Sequence, residues 1–346
     1  MGKLKVGVIF GGVAEEHPIS IKSAVQIEES LDTEKYDPVW IGVTKSGEWK
    51  LCEGPGSAWE TDDSPTAILS PDTGTHGLLV LHEDRHEVIP LDLIFPVLHG
   101  EQGEDGAMQG LFELSGIPYI GCGIAASALC NDKSLAYTVV RESGVATPEF
   151  WVVHPGDDVD TSQFSYPVFV KPARSGSSFG ISKVAQADEF PAALEEARRY
   201  DSKVLIEEAI VGSEIGCSVL GTGKDLFVGE ADHVVVTSGF FRIHQESTPE
   251  KGSENSHFVV PADISAEATQ LVKETAKTIF SALGCYGIAR VDMFVTPEGK
   301  VVLNEVNTLP GLTSYSRYPR MMAAAGVSLS ELIDRLVRVT LDGPSR

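Results

Sequence analysis

Residues 288–307 read as a β-hairpin that sets two carboxylates against each other, a pairing that needs a cation or solvent between them. Ile288 to Val295 alternates as one strand, Thr296-Pro297-Glu298-Gly299-Lys300 is a turn, and Val301 to Asn307 is the return strand. Side chains alternate faces along a strand, so Glu305 and Asn307 share a face, and the hairpin brings Asp292 opposite or next to Glu305. Like charges across a ladder are destabilising. A divalent cation between them reverses that sign. Oxygen ligands with only two carboxylates suit Mg²⁺ carrying nucleotide phosphates rather than Zn²⁺. The alternative reading is that both acids are solvated at a strand end.

A second signal is Lys171-Pro172-Ala173-Arg174-Ser175-Gly176-Ser177-Ser178-Phe179-Gly180. It sets a lysine at the end of an apolar strand, followed by a small-residue loop. Such a loop exposes backbone N–H groups that cradle phosphate oxygens. No GxxxxGK[ST] occurs in the chain, so it is not a Walker A motif. Leu205-Ile206-Glu207-Glu208-Ala209-Ile210 ends another strand in acids, with Glu214 following; acids there accept from an adenine amino group or ribose hydroxyls. Near the start, Gly11-Gly12-Val13-Ala14-Glu15-Glu16-His17 and His99-Gly100-Glu101-Gln102-Gly103-Glu104-Asp105-Gly106 each follow an apolar strand. Open α/β sheets bind ligands at such carboxyl ends. Glu16 suits an ammonium and His99 a carboxylate. Taken singly, each of these segments also reads as a plain turn or cap.

The 346 residues are too many for one ordinary core, so two or three packed units are expected. A net charge of −23 argues against nucleic acid and anionic lipid as partners. It also requires any anion site to be a local cluster of Lys and Arg. The five cysteines, Cys52, Cys122, Cys130, Cys217 and Cys285, are odd in number and form no CxxC pair, which points to free thiols in a reducing compartment. The apolar run before Gly11-Gly12 is too short for a signal peptide, and no stretch approaches the roughly 18 apolar residues of a membrane helix.

The first third alternates strand and helix. Val6 to Phe10, Val39 to Val43 and Leu91 to Leu98 read as strands. Ser20 to Leu31 is a helix with Ile21, Ala24, Val25 and Leu31 on one face, and Met108 to Leu114 is another. Parallel strands with crossover helices are the simplest topology. A second unit holds strands at Tyr166 to Val170 and Lys203 to Glu207 around a helix from Glu189 to Tyr200. A third holds strands at Ile215 to Leu220, Leu226 to Val236 and the carboxylate hairpin, with a helix from Ala266 to Leu283. Thr237 to His257 has no period and reads as a long functional loop.

In this order the motifs resemble the D-alanine:D-alanine ligase family of the ATP-grasp fold. The runs Phe169 to Gly180 and Asn304 to Ala325 are similar in particular to the D-alanine:D-lactate ligases of glycopeptide (vancomycin) resistance. The resemblance covers nearly the whole chain. It implies an α/β and α+β architecture: an N-terminal parallel α/β domain over residues 1–125, a central ATP-grasp lid domain over 126–212, and a catalytic domain over 213–346 carrying an omega loop at 237–257. It implies a cytoplasmic homodimer that uses ATP and two Mg²⁺, with Mn²⁺ as a possible substitute, to join D-alanine to D-lactate through a D-alanyl phosphate.

By the same resemblance, Lys133, Lys171, Ser177 and Ser178 meet the ATP phosphates. Glu207, Glu208 and Ile210 face adenine, and Glu214 takes the ribose. Asp292, Glu305 and Asn307 bind metal. Glu16 and His99 hold the first D-alanine, and Arg290 and the Gly311 N–H stabilise the oxyanion. Ser177, Ser316 and Arg317 sit at the acceptor site. The common dipeptide ligases place a tyrosine in the long loop; here Thr237 to His257 contains none and carries His244 and Glu250. His244 is therefore expected to select D-lactate. The rivals are a D-alanine:D-alanine ligase and a two-lobed, non-catalytic ligand-binding protein.

Overall fold

The first strand, β1 (Leu4–Gly11), is buried along most of its length, and that burial organises the first sheet around it. The computed structural model describes residues 2–56, 58–176, 178–239 and 255–343. β1 pairs in parallel with β2 (Tyr36–Val43) on one side and with β7 (Leu93–Pro96) on the other. α1 (His17–Ser30) makes the first crossover, and α2 (Ala107–Ser115) follows β7. This parallel centre is the one expected from the sequence.

Between β2 and β7 the sheet continues through β3 (Trp49–Cys52), β4 (Thr66–Leu69), β5 (Gly77–Leu81) and β6 (His86–Pro90), all antiparallel, in the order β6-β5-β4-β3-β2-β1-β7. These strands of four or five residues carry too little periodicity to stand out from turns. The inward face of α1 overlaps the expected one at Ala24 and Leu31 but is shifted toward Ser20, Ser23 and Ile27. Ser20 and Ser23 are fully buried with Ala24 and Ile27, while Ile21 and Val25 are half-buried. The serines are hidden because they bond backbone: Ser20 Oγ donates to Val97 O and accepts from Gly11 N, and Ser23 Oγ accepts from Leu312 N.

α3 (Ile124–Asn131) and α4 (Lys133–Glu142) lead to a four-stranded antiparallel sheet, β10-β9-β11-β8. It comprises β8 (Phe150–Val153), β9 (Val168–Pro172), β10 (Ser182–Val184) and β11 (Val204–Glu208), with α5 (Phe190–Arg198) on one face. Asp132 caps α4 by accepting from the Ser134 and Leu135 N–H groups, which fixes Lys133 at the first helical position.

The third sheet runs β15-β14-β12-β16-β17, with β13 attached to β12. Its strands are β12 (Ser213–Thr222), β13 (Asp225–Val228), β14 (Asp232–Val236), β15 (Ser256–Val259), β16 (Gly287–Val295) and β17 (Val301–Asn307). The single strand expected over 226–236 is two strands. Both pair with β12, and the ladder is interrupted between Val228 and Asp232, where Gly229 approaches β12 so closely that a Cβ would lie 2.3 Å from Ser218 Oγ. The expected loop 237–257 ends inside β15, whose pairing with β14 places Ser256 opposite Val236.

α6 (Ala266–Ala282) packs with α3 and α4 over this sheet in one core that includes Tyr137, Ile279 and Val291. α7 (Arg317–Ala324) and α8 (Leu329–Asp342) close the other face. Leu332 and Leu336 of α8 share a core with Val6 and Phe10 of β1, so the first and third sheets are held by common hydrophobic burial. Tyr36 and Lys35 bind Asp334 at the rim of that contact.

Candidate active site

β16 and β17 pair with Asp292 opposite Glu305 and Arg290 opposite Asn307. After Asp292 the ladder slips and Asn304 is the extra residue, a bulge that re-aims the strand carrying Glu305. The like-charge opposition is offset by basic side chains. Arg290 Nε and Nη2 lie 2.9 and 2.8 Å from Asp292 Oδ2, and Arg317 Nη1 lies 3.2 Å from Asp292 Oδ1. Lys133 Nζ is 3.4 Å from Glu305 Oε2 and donates to Ser175 O at 2.8 Å. Burial opposes the charge on Glu305, but Lys133, Arg290 and Lys171 outweigh it and hold the carboxyl at about 2. Asp292 is 1% exposed, covered by the two guanidiniums, whereas the Glu305 side chain is 31% exposed.

The donors fit Mg²⁺. Two carboxylates and the Asn307 amide, which donates to Asp292 at 3.4 Å, are hard oxygen ligands gathered at one place. Among the described residues no three His, Cys, Asp or Glu side chains form a cage of their own. Most of an octahedral shell is thus left to phosphate and water.

Lys171 is the penultimate residue of β9, and its ammonium pairs with Glu207 of β11, both buried. The second Glu207 oxygen lies 3.1 Å from Tyr137 Oη, which is also 2.8 Å from the carbonyl of the bulged Asn304. Both Glu207 oxygens are thus engaged, one by Lys171 and one by Tyr137, and the residue lines the same cavity as Glu208 and Ile210. Glu208 alternates to the other face and accepts from Glu149 N. The loop after Lys171 is pinned at its base: Arg174 makes a bidentate pair with Asp201, and Phe179 stacks on Tyr200 at 6.0 Å. Ser178 has a positive φ of 62°. Ser177 and His244 lie outside the described residues, as does Glu250.

Glu16 caps the chain's entry into α1, its carbonyl accepting from the Ile19 and Ser20 N–H groups. Its carboxylate lies against two glycines from distant segments. A Cβ at Gly100 would sit 2.7 Å from Glu16 Oε2, and one at Gly176 3.5 Å from Oε1. Gly100 also has φ +67°, so its backbone and its close approach both favour glycine. His99 Nδ1 is 2.9 Å from Leu309 O. A carbonyl only accepts, so Nδ1 carries the proton. Burial pushes the His99 pKa down and keeps the ring neutral. Its Nε2, buried and without a hydrogen-bond partner among the described residues, is therefore an acceptor. In this tautomer Nε2 offers a lone pair to a donor such as an ammonium, whereas a carboxylate would require the charged ring. Glu104 accepts from Gly100 N and Leu309 N, and burial pushes its carboxyl up to about 7.

Gly311 and Ser316 lie together: a Cβ on Gly311 would be 2.8 Å from Ser316 Oγ, which shares a 2.6 Å hydrogen bond with Thr313. Arg317, expected at the acceptor, is buried and bound by Asp232 through two hydrogen bonds of 2.7 and 2.8 Å and by Glu214 at 3.2 Å. Burial raises the Glu214 carboxyl to about 7 against the pull of Arg317. Asp232, Glu104 and Tyr137 were not assigned roles from sequence. Only Glu104 stood in a noticed motif; the other two are single polar residues in buried segments, recognisable once their partners are known.

One cavity of about 850 Å³ is lined by Glu16, His99, Lys133, Lys171, Glu305 and Gly311 together, with Ile210 and Ser178 on its walls. Family models described as D-ala D-ala ligase N-terminus and C-terminus match residues 5–122 and 139–338. The chain is 60% identical to a "Putative D-alanine–D-lactate ligase" of Streptomyces coelicolor, covering 100% of both. It is 58% identical to the vancomycin/teicoplanin A-type resistance protein VanA of Enterococcus faecium, covering 99% of this chain and 100% of that one. Its fold superposes on the VanG D-Ala:D-Ser ligase from Enterococcus faecalis with a TM-score of 0.90 and 41% identity, over 98% of this chain and 100% of the other. With family models matching both halves of the chain and full-length relatives at 58–60% identity, the chain belongs to the D-alanine:D-alanine ligase family of ATP-dependent ligases.

Proposed function

We propose that this protein joins D-alanine to D-lactate in an ADP-forming reaction through D-alanyl phosphate, giving a depsipeptide for peptidoglycan precursors and glycopeptide resistance. The observation that carries the reading is full-length identity of 60% and 58% to proteins named for that ligation and for that resistance. The tyrosine-free segment 237–257 supports it from the sequence side.

Each role follows from the chemistry of the cleft. Glu16 and the Nε2 acceptor of His99 bind the D-alanine ammonium. Lys133, Lys171 and the backbone around Ser177 and Ser178 orient the phosphates, and Glu207 positions Lys171. Glu208 and Ile210 border adenine, and Glu214 the ribose. Asp292, Glu305 and Asn307 hold two Mg²⁺, replaceable by Mn²⁺, whose charge offsets that of the phosphoryl group in transfer. Arg290 and the Gly311 N–H face the developing oxyanion. Ser177 and Ser316 hold the acceptor carboxylate, while Arg317 positions carboxylates instead of touching substrate. The Gly/Ser loop, lying against Glu16, excludes water from the acyl phosphate.

The three sheets correspond in this reading to domains divided near residues 125 and 212, in a cytoplasmic homodimer. None of the described helices is long and apolar enough to cross a membrane.

The test is the product formed from ATP, Mg²⁺, D-alanine and D-lactate, identified by mass spectrometry across pH. Depsipeptide should dominate at neutral pH and give way to dipeptide as pH rises, because His244 loses its charge and D-alanine its ammonium proton. His244→Ala should abolish the lactate reaction at neutral pH. Dipeptide alone at every pH establishes the D-alanine acceptor instead, and ADP release that ignores D-alanine rejects the ligase reading.

A further inference from the structure

Arg317 follows the acceptor-site Ser316 at the start of α7, yet its guanidinium points into the third sheet and serves three acids at once. Nε and Nη2 grip Asp232 at 2.8 and 2.7 Å. Nη1 alone faces both Glu214 and Asp292, each at 3.2 Å. The group is enclosed: Arg317 is 5% exposed, Asp232 is fully buried, and the Phe258 ring covers the guanidinium at 5.3 Å. Gly216 provides the space, since a Cβ there would lie 2.3 Å from Arg317 Nη2, 2.5 Å from Asp232 Oδ1 and 2.9 Å from Asp292 Oδ1.

A buried guanidinium with one fully committed edge has one edge left to divide. Asp232 takes the bidentate edge, which is the stronger geometry. The remaining Nη1 is shared between the acid beside the metal site and the acid beside the ribose. Whatever draws Glu214 away leaves Nη1 to Asp292, and whatever engages Asp292 leaves Nη1 to Glu214.

We propose that Asp232 is a positioning residue which, by holding Arg317, sets how much of the Asp292 charge is available to a divalent cation and couples that cation to the nucleoside end of the site. The inference rests on the reading of Asp292 as a metal ligand and Glu214 as a nucleotide acid. Neither Asp232 nor Arg317 touches substrate in this scheme; both act through other carboxylates. Without the charge of Asp232, Arg317 turns its whole charge on Asp292 and Glu214, and the cation competes less well. With lysine at 317, a single ammonium stays with Asp232 and cannot also span to Asp292, so the cation competes better.

The experiment is calorimetric titration of ADP into the full-length protein over a series of Mg²⁺ concentrations, without D-alanine. The quantity read is the Mg²⁺ concentration giving half of the maximal gain in ADP affinity. Asp232→Asn, nearly isosteric, should raise it by about fivefold or more, the scale of an ordinary coupling between sites. Arg317→Lys should lower it. General damage to the fold would move both variants the same way, so opposite signs are the signature. An unchanged requirement in Asp232→Asn, or shifts of the same sign, overturns the proposal. If Asp232→Asn does not fold, Arg317→Lys decides alone, and a requirement that is unchanged or raised overturns it. Wild-type ADP binding indifferent to Mg²⁺ would instead reject Asp292 as a metal ligand, and the coupling with it.

Discussion

The two halves of the cleft solve the problem of buried charge in opposite ways. On the phosphate side, built on strands and the start of a helix, acids and bases are already paired: Asp292 with Arg290 and Arg317, Glu305 with Lys133, Glu207 with Lys171. On the amino-acid side, built on turns from distant parts of the chain, His99 Nε2 has no partner among the described residues and Glu104 is a carboxyl pushed up to about 7. The difference teaches what each ligand must do. A nucleotide and its metal exchange one set of ion pairs for another, so binding there is a competition between charges. A ligand on that side meets a prepared acceptor, the His99 Nε2, instead of an existing ion pair.

The largest effect that tests this contrast is Glu305→Gln. The fold should survive, because Glu305 is partly exposed and lies on a strand otherwise held by apolar burial. Turnover measured as ADP release should fall roughly 10³-fold, since a charged ligand is removed from a reaction driven by electrostatics. Near-normal turnover would reduce Glu305 to a solvated strand end.

His99→Phe sharpens the other half. It removes one acceptor, so the KM for D-alanine should rise about tenfold, on the scale of a hydrogen bond to a charged group. ADP affinity should stay unchanged, and a matching loss there would show that the two halves are not independent. Gly100→Ala is expected to resemble it more mildly. The new methyl meets Glu16 Oε2 and the positive φ adds strain, so the D-alanine KM rises severalfold with little change in kcat.

The smallest effect is a slope. A Glu104 carboxyl that titrates at about 7 in the folded protein and near 4.5 when unfolded binds its proton more tightly in the folded state. Its contribution to stability is complete below pH 4.5 and is lost as pH rises through about 7, in the same sense as Glu214. Glu104→Gln should flatten the fall in melting temperature between pH 5 and 8 relative to the wild type. Parallel curves would show that Glu104 is charged in the folded protein.

Much of this was legible in the residues themselves. Alternation and turn chemistry specify the hairpin at 288–307, the strand into Lys171 and the parallel strands around β1, because side-chain period and glycine placement are local properties. The opposition of Asp292 and Glu305 follows from the same local rule, since a tight turn fixes the register of its strands. The reading failed where local signals were short or contradicted by partners from afar. β3 to β6 are too brief to show a period. Ser20 and Ser23 of α1 are buried because backbone groups from Val97, Gly11 and Leu312 reach them.

What the sequence determined alone, then, is which residue types stand at the ends of which strands. What only the tertiary structure decided is who neutralises whom. Glu207 serves Lys171, Arg317 serves Asp232, Asp292 and Glu214, and His99 spends its proton on Leu309 O. Charges interact through space over a few ångströms, and these partners lie between 25 and 210 positions apart in the chain. No pattern along the sequence encodes such a pairing until the sheets are packed.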